Sequence, residues 1–139
     1  MARLRKGTGS PPSGSRRFSI SRVSELGPDD PGPEDIKIIT LARSARARVA
    51  AAEGAAVRDE TGRTYAAAAI ALPSLQLSAL HLAVAMAVSS GATSLEAAAL
   101  VSDGGPPDPG DIAAVRELGP EAMVFHAAPD GSVLAVLRP

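Results

Sequence analysis

Apolar positions along this chain follow three patterns. Ile38, Leu41, Ala45, Val49 and Ala52 recur at steps of three and four, the spacing of one helical face, and Asp35 is placed to cap that helix. Gly54–Asp59 and Thr64–Ala71 are short apolar runs that read as strands. Asp59-Glu60-Thr61-Gly62 joins them as a hairpin turn, with Gly62 supplying the positive φ. The stretch from Leu72 to Gly91 is apolar almost throughout, with Gln76, Ser78 and His81 as polar interruptions. It predicts one central helix, capped at Ser74 and ended by Gly91 in a left-handed turn. A helix without a polar face is normally buried on every side. This one is too short and too interrupted to cross a membrane.

Ser94–Ser102 is a nearly continuous apolar run and reads as a buried strand. In the next segment Asp108 fits a helix cap, Pro109 the first helical position and Asp111 the third. That helix is expected to run to about Leu118, where Gly119-Pro120 stops it. Ala122–Ala127 and Ser132–Leu137 form a last hairpin around Pro129-Asp130-Gly131. The order α-β-β-α-β-α-β-β predicts an α/β fold. It is a three-layer α-β-α arrangement around a mixed five-stranded sheet, with strands parallel across each helical crossover. Residues 1–33, rich in Gly, Ser and Pro, read as a disordered tail ahead of one domain over residues 34–139.

Composition narrows the chemistry. The 139 residues carry a net charge of -1, so no overall field draws in nucleic acid or an acidic surface. Without cysteine, disulfides, thiolate zinc sites and cysteine nucleophiles are excluded. Aromatic residues are 2% of the chain, so Ala, Val, Leu and Ile must fill the core. The basic N-terminus lacks an apolar leader, which sets a cytoplasmic expectation. Within the tail, Arg3, Arg5, Lys6, Arg16, Arg17 and Arg22 precede Glu25, Asp29, Asp30 and Glu34. One reading is a basic arm for RNA, DNA or anionic lipid; the plainer one is a solvated tail. Neither interleaved aromatics nor a repeated Arg-Gly pattern argues for nucleic acid.

Few side chains offer reactive chemistry. Ser78 and His81 lie three apart on one helix, close enough for nucleophile and base, but no neighbouring acid is evident in the sequence to orient the His. A Ser bonded to its own backbone is the plainer reading. Ser78, Asp108 and Asp111 could offer oxygen ligands to magnesium or manganese. Aspartates at a helix start more simply bond free amides and suit the helix dipole. His126 reads as a packed strand residue.

Several stretches together resemble the cytidine deaminase family, over about Asp35 to Pro139. Gly54-Ala55-Ala56-Val57, Asp59–Gly62 and Tyr65 are similar to its first hairpin. Ala87–Gly91 is similar to the end of its central helix, Ala99–Asp103 to its third strand and Gly131–Pro139 to its last. The resemblance implies the fold. It also implies a zinc centre with one His or Cys before Ala-Glu and two cysteines in Pro-Cys-x-x-Cys, the Glu moving protons. At those places this chain has Ser78-Ala79-Leu80 and Pro107-Asp108-Pro109-Gly110-Asp111. The family's ribose-binding Asn-x-Glu falls at about Ala69-Ile70-Ala71. Thus Ser78, Leu80, Asp108, Asp111, Ala69 and Ala71 are expected to be degenerate site positions, with no catalytic residue, metal or cofactor.

The sequence therefore predicts a catalytically inactive, cytidine-deaminase-like binding or assembly module. The alternatives are a deaminase-family hydrolase acting on a nucleoside or base with relocated groups, or an RNA-associated accessory factor using the tail. The all-apolar helix predicts a homo-oligomer, and family members associate as dimers or tetramers around that region. A protein or small-molecule partner is expected, and no membrane.

Overall fold

The computed structural model describes residues 30–139. Residues 1–29, which hold most of the predicted tail and its basic arm, lie outside the described residues. Helix α1 spans Pro33–Arg48, with Glu34 and Asp35 in its first turn and Arg46 and Arg48 in its last. Acidic residues at the start and basic ones at the end both suit the helix dipole. Asp35 is thus inside the helix rather than its cap, and its carboxylate meets Arg58 at 3.2 Å. The buried stripe is Ile38, Ile39, Ala42 and Ala45. Val49, placed on the core face by periodicity, is 59% exposed because the helix ends before it and Ala50 turns the chain at φ 52°.

Strands β1 (Glu53–Asp59) and β2 (Thr64–Ala68) form the expected antiparallel hairpin, with Gly62 at φ 89°. Asp59 organises its turn. It accepts from Thr61 N at 2.9 Å, Thr61 Oγ1 at 2.7 Å, Arg63 N at 3.0 Å and Tyr65 OH at 2.8 Å. Desolvation pushes its carboxyl pKa up, but these four bonds together outweigh it and hold the group at about 2.

The next segment corrects the predicted helix over Leu72–Gly91. Its first part is a small separate hairpin, β3 (Ile70–Leu72) paired with β4 (Leu75–Leu77). Helix α2 spans only Ala79–Ser89 and is capped by Ser78, not Ser74. Pro73 and the Leu75-Gln76-Leu77 alternation favour a turn and a strand there. Gly91, at φ 98°, follows the helix as expected.

Strand β5 (Leu95–Ser102), helix α3 (Pro109–Leu118) and strands β6 (Met123–Ala127) and β7 (Val133–Leu137) complete the chain. The main sheet is mixed and five-stranded, in the order β2-β1-β5-β6-β7. The β5–β6 pair is parallel and the other three are antiparallel. Strands β2 and β5 run the same way across the α2 crossover, with β1 between them.

Alternation along the strands sends their side chains into two cores. On one face Ile38, Ile39 and Ala42 of α1 meet Ala56, Ala97, Ala99, Val101 and Phe125. On the other, Leu80, Ala83, Val84 and Ala87 of α2 and Val115 of α3 meet Ala55, Val57, Ala98, Leu100 and Val124. The sheet is thus the middle of three layers. Small residues let the helices sit close. A Cβ on Gly54 would stand 2.1 Å from Ala42 O and 2.8 Å from Arg46 Cβ.

Helix α2 is not enclosed on every side, contrary to expectation. It lies in an outer layer, with Ala79, Leu80, Ala83, Val84 and Ala87 inward. Met86 is 36% and Val88 52% exposed. Among the described residues no helix is long and apolar enough to cross a membrane.

Candidate functional site

The two helices on that face bring their N-termini together. Ser78 ends the link from β4 in extended conformation and caps α2, its Oγ accepting from His81 N at 3.1 Å. Asp108 caps α3, accepting from Gly110 N at 2.9 Å, and Pro109 takes the first turn, where a missing N–H costs nothing. One turn into α3, Asp111 is buried, with its side chain 5% exposed. The Ser78 hydroxyl donates to Asp111 Oδ1 at 2.8 Å. That bond ties one helix start to the other.

His81 completes a polar trio. Its Nε2 lies 3.3 Å from Asp111 Oδ1 and 3.1 Å from Gly110 O. Sequence reasoning found no acid to orient this His, and the structure supplies Asp111 from the other helix. It also corrects the expected role of Asp111, whose carboxylate meets Ser78 and His81 rather than free amides. Ser78 bonds its own backbone, as expected, through the cap on His81 N.

The remaining candidates are dispersed. Leu80 is 0% exposed and packs in the α2 core. The amide of Ala69 donates to Glu53 O at 3.1 Å, and Ala71 is exposed on β3. Among the described residues no group of three or more His, Cys, Asp or Glu is gathered as a metal site requires.

A second polar pair went unforeseen at the same end of the sheet. Ser102 closes β5 and bonds His126 Nε2 of β6 at 2.9 Å, both residues being buried. Glu53 lies opposite Ser102 in the β1–β5 pairing. Burial lowers the His126 pKa below its usual value, and the negative charge of Glu53 partly opposes this. Matching parity on adjacent strands is the sequence signal for such a pair, but it is readable only once the strand order is known.

Three helices thus lie on a mixed sheet, with the starts of α2 and α3 meeting at one end. A family model described as cytidine deaminase-like matches residues 31–131, from just before α1 to the turn before β7. The chain belongs to the cytidine deaminase-like family. Cytidine deaminase from Burkholderia pseudomallei superposes with a TM-score of 0.63 at 22% identity, covering 73% of this chain and 90% of that one. The Mycobacterium leprae cytidine deaminase gives 0.55 at 21%, with the same coverages. At these identities the likeness to the two deaminases is one of fold. No curated protein sequence matches the chain.

Proposed function

We propose that this cytidine-deaminase-like chain is a binding or assembly module without deaminase chemistry. The observation that carries the reading is the Ser78–Asp111 bond between the two helix starts. The groups there do not fit zinc. Ser78 is a neutral hydroxyl bonded to Asp111 and His81 N, Asp108 caps its own helix, and thiolates are absent. A structural or catalytic zinc needs three or four good ligands. Leu80, sealed in the core, can neither donate nor accept a proton. The domain works as a homo-oligomer, a dimer or tetramer, with the exposed side of α2 in its interface. Its partner is a protein or a small molecule.

One observation favours a second reading, a hydrolase with relocated groups: Ser78, His81 and Asp111 do lie together. Their order is unsuited to nucleophilic catalysis, since His81 Nε2 faces Asp111 and Gly110 O while the Ser78 proton goes to the carboxylate.

Purified full-length protein, incubated with cytidine or deoxycytidine, should give no loss of cytidine absorbance that scales with protein. Elemental analysis should find zinc far below one per chain, and Leu80→Glu alone should create no activity. Turnover that survives repurification, or about one zinc per chain, would overturn the reading.

A further inference from the structure

The chain contains no asparagine, so rearrangement of its backbone through a succinimide ring can start only from aspartate. The reaction is easiest where glycine follows, because no side chain hinders the attacking amide and the backbone bends freely. Two such dipeptides occur, Asp103-Gly104 and Asp130-Gly131. Both aspartates are exposed, so exposure does not separate them, but their bonding does.

At Asp130 the reacting groups are engaged. Its Oδ1 accepts from Ser132 N at 2.8 Å and from Ser132 Oγ at 2.7 Å. The Gly131 amide, which would have to attack, donates to Ala128 O at 2.8 Å. The Ser132 hydroxyl and amide also hold the Asp130 carboxyl below its usual pKa, in the ionised form that resists attack. Gly131 is crowded as well, since a Cβ there would lie 3.1 Å from the Arg43 guanidinium. Asp103 differs on each count. It follows the end of β5, with its side chain 76% exposed. Among the described residues its carboxylate meets only Arg46, at 3.9 Å, beyond hydrogen-bond range. The Gly104 amide has no acceptor among those residues, and nothing lies within 4 Å of a Cβ placed on Gly104.

We propose that Asp103-Gly104 is a site of spontaneous isoaspartate formation, and that the fold protects Asp130-Gly131 from the same change. The Gly104 nitrogen attacks Asp103 Cγ. A C–N bond closes the ring while a carboxyl oxygen leaves as water. Water then reopens the ring. Opening at Cγ restores aspartate, and opening at the α-carbonyl leaves the main chain running through Cγ as isoaspartate. Nothing is oxidised or reduced, and the water lost is regained. The product adds a methylene to the main chain between β5 and α3, ahead of the Asp108 cap and of Asp111. It therefore alters the link that sets the start of α3 against Ser78.

To test this, full-length protein is kept warm at neutral pH, in buffer and in parallel in concentrated urea. It is then digested and mapped by mass spectrometry with electron-transfer fragmentation, which tells the two isomers apart. In urea both dipeptides should accumulate isoaspartate, because the bonds around Asp130 are gone. In buffer it should accumulate at Asp103 while Asp130 stays intact. Gly104→Val should remove most of the Asp103 product without changing the circular dichroism, since the space around Gly104 is open. Absence of isoaspartate from Asp103 in the folded chain, or a ratio between the two sites that urea leaves unchanged, would overturn the proposal.

Discussion

Replacing Ser78 should cost far more than an ordinary helix cap. Its hydroxyl accepts from His81 N and donates to a carboxylate that is 5% exposed. Losing the cap in Ser78→Ala costs about 1 kcal/mol. Losing a hydrogen bond to a charged group adds roughly 1.5–3 kcal/mol, since Asp111 stays buried with one donor fewer. The sum, about 2.5–4 kcal/mol, is a large share of the ~5–15 kcal/mol that holds a domain together. It corresponds to a fall in Tm on the order of 10 °C or more. Glycine caps nearly as well as serine, so Ser78→Gly keeps most of the cap and isolates the bond across the helices. Urea unfolding followed by far-ultraviolet circular dichroism, on Ser78→Ala, Asp111→Ala and the double variant, gives the coupling. The double variant should lose about 1.5–3 kcal/mol less than the two singles added. Additivity within about 0.5 kcal/mol would refute the tie between the helices.

Asp59 has a depressed pKa, so its contribution to stability is fully present above an unfolded carboxyl's value and disappears as pH falls through about 2. Between about pH 4 and pH 2 the wild type should therefore lose stability more steeply than Asp59→Asn; parallel melting curves would contradict this. His126 is also depressed, so its contribution is present above about pH 6.5 and falls as the pH drops below that value. His126→Gln should flatten that part of the profile, and an unchanged slope would mean that the imidazole is not the group responsible. Gly54→Ala should destabilise by at least about 2 kcal/mol, because its methyl would overlap Ala42 O and the α1 backbone at Arg46; an unchanged urea midpoint would show that α1 can move aside. A chain beginning at Pro33 should melt close to the full chain, whereas aggregation or a large drop in Tm would show that the residues before it pack on the domain.

What the sequence revealed was mostly what is local. Asp59–Gly62 and Asp108-Pro109 specify their turn and cap within a few residues, and both formed as read. The mixed five-stranded sheet followed from element order. The β3–β4 hairpin was lost because Leu75, Leu77 and Leu80 suit a buried helix by composition, while the period-two signal around Gln76 is only three residues long. On α1, periodicity found Ile38 and Ala45, but the close contact with Gly54 placed Ala42 inward. Ser78 and Asp111 were each identifiable as residues of interest, though not as partners. They are on different helices, and only the packing of α2 beside α3 brings them to 2.8 Å. The same holds for His126 and Ser102, whose bond depends on β5 and β6 being neighbours.

The strand order also fixes a sequence of events in time. Strands β1 and β2 are adjacent in the chain and can pair as soon as both exist, as can β6 and β7. Strand β5 lies between the two pairs, and its partner β1 is separated from it by the second strand, the small hairpin and α2. Closing that long connection is the entropically costly step, so the docking of β5 is expected to set the folding rate. During synthesis, at roughly 5–20 residues per second, the uncharged run between Arg63 and Glu96 emerges before the strand that completes the sheet beneath it. For that interval β1 has an open edge, and α2 has only half a sheet to pack on. Slower growth at lower temperature, or a chaperone that holds apolar segments, should raise the yield of folded chain more than any change made downstream of Ser102.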